Sequence, residues 1–462
     1  MNQGYSDRYS ESSPLANKSK SKSGFISNTK LLILAFATVF FPRILDTFGA
    51  PAPINFLHFV VVPLVFFSAM LKNRSCNSQR RKAMSLLLWG MFFLLLSVVV
   101  SAFVNQAGLI NAGLSFMLLG EPFIFLILLI SFPWNKRKYQ KVKTIILNFF
   151  SLHLLLVFVQ KYVLRTDTWE WVGMEGADRI QGVFFISGAG HVVGSSVSLT
   201  FALYYLLQEK KSPLWLRISV LLAAIWNIII ADGKQVLFVF IVAMILLFLL
   251  RLNDIIAATK YIISGTILGW LFWWCIQNLQ AFAAFTTWIR PDIYGADGEA
   301  TLLKTSVFRI IPNHYDSLLN WLFGLGPGHT VGRLGGWMIR EYESLLGPLG
   351  STRHPASTDV WYAVGQSWLG SQSSMFSPLF GWAGIWGDLG LVGLAAYLYL
   401  GFIVWKYICK NDLMKFFLLT AFGFGLIFSQ LEEPGYMLSV ACIIGLNYQK
   451  HIIDQIRDLK RL

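Results

Sequence analysis

The chain has 462 residues, 55% of them hydrophobic and only 13% charged, about half the charged share of an ordinary soluble domain. That balance excludes a soluble globular enzyme and predicts an all-α, polytopic membrane protein. A formal net charge of +14 could suggest nucleic acid, but Lys and Arg concentrate in alternate connections between apolar runs, which reports orientation in a bilayer and attraction to anionic lipid; no nucleic-acid partner is expected.

Residues 1–29, rich in Ser, Lys and Asn, lack the apolar stretch of a secretory signal and read as a disordered cytoplasmic tail. Apolar runs of roughly 20 residues, long enough to cross a hydrocarbon core as helices, then recur about twelve times, near 30–48, 53–71, 84–104, 109–131, 144–164, 184–207, 214–231, 236–250, 258–282, 379–405, 413–430 and 435–448. The expected organisation is a transmembrane bundle of nine helices over 30–282, a large outer loop over 283–378, three more helices over 379–448, and a cytoplasmic tail over 449–462. The basic clusters place both termini inside, so the long loop faces outward. None of the four cysteines falls in an outer connection, which argues against a disulfide framework, and no Cys/His grouping suggests zinc.

In the sixth run, Gly190, Gly194 and Ser198 fall four apart, a small-residue stripe suited to close helix packing. The long polar connection is too long to be structureless unless functional. Within it, Val307 to Phe323 carries apolar residues at helical spacing and predicts one amphipathic surface helix, which Gly324 to Gly328 ends with a Gly/Pro turn.

Several polar residues could carry chemistry. Arg179, at the mouth of the sixth run, and Lys234, between the seventh and eighth, are fixed cations suited to phosphate oxygens; each reads equally well as an interfacial anchor or a partner for a neighbouring Asp. Arg309 stands on the surface helix, followed by His314, His329 and His354, any of which could take a proton from a hydroxyl near neutral pH. His329 is the first choice because the Gly324–Gly328 turn would present it. Two acids lie inside apolar runs, Glu121 and Asp388; such residues face a bundle interior or a wet cavity and mark function or a buried partner. Asp292, Asp297 and Glu299 fit no EF-hand spacing, and no metal is expected.

Four patches, in order, resemble the O-antigen ligase and polymerase family of membrane glycosyltransferases. Arg179-Ile180-Gln181-Gly182-Val183-Phe184 is similar to Arg-x-x-Gly-x-Phe, and Ala231-Asp232-Gly233-Lys234 stands where the family has Ser-Arg-Gly. Phe308-Arg309 with Leu318 to Gly328 is similar to an Arg-led helix ending in Phe-Gly-x-Gly-x-Gly, and Gly387-Asp388-Leu389-Gly390-Leu391-Val392-Gly393 is similar to Glu-Leu-Gly-x-x-Gly, with Asp for Glu. One departure is plain: ligases place His-Asn about ten residues before the last motif, and here that position holds Leu379-Phe380, with Ser373, Ser374 and Ser377 upstream.

The resemblance implies a C-type glycosyltransferase-like fold in the bacterial inner membrane and metal-independent, inverting transfer of glycan from undecaprenyl diphosphate to an acceptor hydroxyl. No cofactor is implied, and a chain-length regulator is a candidate partner. On this basis Arg179, Lys234 and Arg309 would bind the diphosphate, His329, with Asp388 and His354 behind it, would act as base, and interhelical grooves would hold the lipid tail. The missing His-Asn favours a polymerase over a ligase that moves glycan to a lipid or protein acceptor. A flippase of lipid-linked glycans is the non-enzymatic alternative, disfavoured by the unequal loops and the lack of internal repeats.

Overall fold

The computed structural model describes residues 28–72, 78–169, 176–185, 189–251, 255–288, 290–372, 376 and 381–459. Ser373, Ser374, Ser377, Leu379 and Phe380, like most of the expected N-terminal tail, lie outside the described residues. Among the described residues all regular structure is helical. Each apolar run folds as a helix: α1 (Asn28–Phe40), α2 (His58–Lys72), α3 (Ser78–Val104), α4 (Leu109–Ser131), α5 (Lys136–Phe158), α6 (Gly190–Gln208), α7 (Leu214–Ile230), α8 (Lys234–Leu249) and α9 (Ile255–Asn278). The long connection carries α10 (Glu299–Ile310), α11 (Leu318–Phe323) and α12 (Pro355–Gln366) among shorter turns; α13 (Gly381–Ile403), α14 (Asp412–Phe424) and α15 (Pro434–Leu459) complete the chain.

Six of these segments are long and apolar enough to cross a membrane: Ala52–Leu71, Ser78–Val104, Leu109–Ser131, Lys136–Leu164, Gly190–Gln208 and Gly381–Ile408. α1, α7 and α8 are apolar but shorter; among the described residues six helices reach full spanning length, and twelve spans are not shown. Helix limits also shift at polar ends. Asn135 caps α5 by accepting a hydrogen bond from the Lys138 amide at 2.8 Å, so the helix starts within the basic stretch rather than at residue 144. α15 continues past residue 448 to Leu459, taking in most of what was expected to be a tail.

The single amphipathic helix expected over Val307 to Phe323 is in fact two. Pro312 lacks the amide a continuing helix would need, and α10 ends at Ile310; α11 begins afresh at Ser317, where Ser317 and Asn320 form a reciprocal capping box. Arg309 therefore ends a helix instead of beginning one, in the last turn where a cation complements the helix dipole.

The interior is one large apolar cluster in which α3 packs on α4 and α13, and α15 lies against α4 and α6. The small-residue stripe of α6 works as packing: a Cβ at Gly194 would stand 3.0 Å from the Gln181 carbonyl oxygen, and Ser198 Oγ accepts from Asn227 of α7 at 2.9 Å. Glu121, wholly buried in α4, meets His58 at the start of α2, with both carboxylate oxygens within 2.9 Å of Nδ1. The partner of this intramembrane acid is a histidine 63 residues away, which no local pattern announces.

Replacing Glu121 with Leu leaves the buried His58 ring without its acceptor, a loss of about 1–3 kcal/mol. The expected result is a lowered thermal unfolding midpoint in detergent, and an unchanged midpoint would show that the pair does not hold α2 to α4.

Candidate functional site

α13 is broken in the middle. Gly390 has φ +65 and ψ −164, and a Cβ there would lie 2.3 Å from the Leu322 carbonyl carbon, so only glycine serves at this position. The break leaves carbonyls of α13 to be satisfied from outside the helix. The Leu325 amide donates to the Gly387 carbonyl at 2.8 Å, the Gly326 amide donates to the Asp388 carbonyl at 3.1 Å, and the Ser101 hydroxyl of α3 donates to the same Asp388 carbonyl at 2.7 Å. The glycine-rich turn after α11 is thus stitched to the broken helix.

The Asp388 carboxylate completes the attachment. Oδ2 accepts from the Gly328 amide at 2.8 Å, and Oδ1 accepts from the Thr330 amide at 2.8 Å and the Thr330 hydroxyl at 2.6 Å. These bonds flank His329 on both sides, so Asp388 acts here as a clamp that positions His329. A second buried acid, Glu432, holds the next stretch: Oε2 accepts from the Arg333 amide at 2.7 Å. Burial first, and then the charge of Asp388, pushes the Glu432 carboxyl up to about 8.

His329 is 3% exposed, so the turn buries it instead of presenting it to solvent. Its Nδ1 is 2.8 Å from the Leu325 carbonyl oxygen, which can only accept, so Nδ1 carries the proton. Nε2 then offers its lone pair to the Thr352 hydroxyl at 2.8 Å. Burial lowers its pKa below the ordinary histidine value. The His354 ring stacks on it with centroids 5.5 Å apart, and His314 lies edge-on to His354 at 5.4 Å. His354 Nδ1 accepts from the Ala356 amide at 3.2 Å as the N-cap of α12, and burial followed by the neighbouring imidazoles lowers its pKa to about 4. His314 pairs with Asp359 at 3.0 Å. The three proposed proton-handling residues, His329, His354 and Asp388, are therefore brought together.

The cations divide. Gly182, with φ +59, lets its turn wrap onto the buried Gln160 and His153 of the α5 region: Gln160 Oε1 accepts from the Gln181 amide at 2.9 Å and from the Gly182 amide at 2.6 Å, while His153 Nδ1 accepts from the Val183 amide at 3.2 Å. This sets buried Arg179 and its neighbour Asp178 at the first turn of α6, where Asp178 lies 3.5 Å from His191 Nε2. One turn further along α6, Ser195 meets the other cationic loop, since a Cβ at Gly233 would stand 2.7 Å from Ser195 Oγ. Lys234 in that loop pairs with Asp232 at 2.5 Å. The loops that bear Arg179 and Lys234 thus meet α6 one turn apart, at His191 and Ser195. Arg309 is exposed and donates to the Leu302 carbonyl of its own helix; no contact recorded among the described residues ties it to the other two.

The turn Ser429–Glu432 joins the two halves of the site. Gln430 Nε2 reaches Ser196 Oγ of α6 at 3.4 Å, while Glu432 holds the His329 loop at Arg333. Arg333 is itself partly buried, pairs with Glu433 and lies 4.7 Å from the Trp337 ring centroid. Burial first, and then Arg43, lowers its pKa to about 9. Sequence reasoning missed Arg333, Glu432, Glu433 and Thr352. The pair of acids just before the apolar helix α15 was a usable signal; Thr352 offered none.

Beside the loop, an apolar cleft of about 450 Å3 opens between α3 and α13, with Phe93, Leu96, Val392, Tyr399 and Phe323 of α11 in its wall. Compared with protein-family models and with curated proteins, the chain matches none.

Asp388→Leu is expected to speed hydrogen exchange at the Gly328 and Thr330 amides by at least about tenfold, the scale of losing charge-assisted bonds worth about 1.5–3 kcal/mol. Unchanged exchange would mean that the carboxylate is not what holds the loop.

Proposed function

We propose that the protein is a polymerase-type membrane glycosyltransferase that moves a glycan from a polyprenyl diphosphate, such as undecaprenyl diphosphate, to an acceptor sugar hydroxyl on the outer side of the inner membrane. The observation that carries this reading is that the loops bearing Arg179 and Lys234 meet α6 one turn apart, at His191 and Ser195, and that the Ser429–Glu432 turn joins α6 to the loop that bears His329. A diphosphate leaving group needs its developing charge compensated, which two or more fixed cations supply without a metal; an acceptor hydroxyl needs a base whose lone pair is available near neutral pH. Arg179 and Lys234 take the first role and His329 the second, with Asp388 and His354 positioning it. Arg309, on the exposed end of α10, meets the glycan or diphosphate only from the rim. The apolar cleft between α3 and α13 is of a size that holds a segment of the lipid tail, within the range of about 300–1,000 Å3 seen for small-molecule pockets.

The sequence departure at Leu379-Phe380 keeps the assignment on the polymerase side of the resemblance. Membrane vesicles supplied with a purified lipid-linked repeat unit test it directly. Longer lipid-linked chains support polymerisation, glycan moved to a different acceptor class marks a ligase, and a change of sidedness without new bonds marks a transporter.

In that assay Arg179→Ala and Lys234→Ala are each expected to lower product by at least about tenfold with normal membrane insertion, since a charge-assisted contact is worth about 1.5–3 kcal/mol. Full activity in both would remove the diphosphate site. Because the His329 pKa is lowered, the base is neutral and competent above that pKa and lost as pH falls through it. The acid limb of the rate profile should therefore have its midpoint below the ordinary histidine value of about 6.5; a midpoint well above it counts against His329.

A further inference from the structure

His329 poses a geometric problem for any reaction at its ring. It is buried, Nδ1–H is committed to the Leu325 carbonyl, and the Nε2 lone pair already faces Thr352 Oγ1 at 2.8 Å. Thr352, bonded to the buried imidazole, is itself only half-buried. Its hydroxyl has one proton and two lone pairs. The proton goes to His329 Nε2, and one lone pair accepts from the Gly108 amide at 3.0 Å. Among the described residues no donor takes the second lone pair.

The placement of Thr352 is tightly determined. Asn111 of α4, wholly buried, accepts from the Thr352 amide at 3.1 Å through Oδ1 and donates through Nδ2 to the carbonyls of Thr352 at 3.0 Å and Pro327 at 2.9 Å. One side chain thus fixes the Thr352 backbone and the His329 turn to the start of the same helix. A hydroxyl held between a fixed base and an accessible face, with one acceptor site left over, has the arrangement of a nucleophile–base dyad, the base being oriented in turn by the Leu325 carbonyl.

From this geometry we infer that Thr352 is a further catalytic residue, a proton relay through which the buried His329 deprotonates an incoming acceptor hydroxyl. The inference rests on the glycosyl-transfer reading above. The acceptor O–H donates into the remaining lone pair of Thr352 Oγ1. As the acceptor oxygen bonds the anomeric carbon, its proton passes to Oγ1 and the original Thr352 proton passes to His329 Nε2. The bond from the anomeric carbon to the diphosphate oxygen breaks, and its electron pair leaves with the diphosphate. Thr352 ends as it began, a neutral hydroxyl; His329 ends as an imidazolium whose Nδ1–H still faces the Leu325 carbonyl, and it returns its proton to solvent by the same path once product has left.

The test uses full-length protein in membrane vesicles with a purified lipid-linked repeat unit, comparing wild type with Thr352→Ser and Thr352→Val. The serine variant keeps the hydroxyl and should stay within about threefold of wild type. The valine variant keeps the shape and loses the relay, and should fall by about 100-fold, within the range for general base catalysis. Wild type should also show a solvent deuterium effect whose proton inventory requires two protons in flight, a readout that a merely structural threonine would not move. An active wild type matched by Thr352→Val, a serine variant as poor as the valine one, or an inventory with a single proton overturns the relay alone. A wild type that forms no glycosidic bond from this donor overturns the functional reading and the relay with it.

Discussion

The Asp388 carboxylate, buried at the break in α13 and accepting from two backbone amides and a hydroxyl of the Gly328–Thr330 turn, is the interaction on which the candidate site depends. An acid placed in an apolar helix is costly unless its lone pairs are filled, and here donors of the Gly328–Thr330 turn fill them. The same break supplies carbonyls for Leu325 and Gly326. Helix and loop each satisfy what the other leaves unpaired, so neither arrangement would be stable alone.

Around that junction the polar groups form a graded set. Glu432 extends the clamp to Arg333, and Gln430, two residues earlier, reaches α6. The stacked rings of His329 and His354, with His314 and Asp359 beyond them, lead from a buried imidazole toward the exposed face of the loop. Near the start of α6, Asp178 beside Arg179 faces His191, and Lys234 at the start of α8 pairs with Asp232.

Much of the helical framework was legible because bilayer physics acts on local sequence: a run of some 20 apolar residues must fold as a helix whatever surrounds it. The errors fall where local rules compete. Pro312 and the Ser317 cap divide a stretch whose apolar spacing alone reads as continuous, and the polar start of α5 and the end of α15 are helical without being apolar. Within the site, the Gly324–Gly328 turn and the oddity of Asp388 could be read directly, but the direction in which His329 points could not. Thr352 and Asn111 carried no signal, since a threonine in a loop and an asparagine near a helix start are ordinary until their partners, more than 200 residues apart in the chain for Asn111, are known.

The amino-acid sequence by itself determined the all-helical, membrane-type character, the position of each apolar helix and the inventory of cations, acids and histidines, because these follow from composition and short-range periodicity. Tertiary structure alone decided which of them meet. Glu121 finds His58, Asp388 finds backbone amides, His329 turns inward to Thr352, and Arg309 turns back to the Leu302 carbonyl of its own helix. Hydrogen-bond partners of buried polar groups are set by how distant helices pack, and that packing energy is shared among many side chains too far apart in sequence for any local pattern to encode.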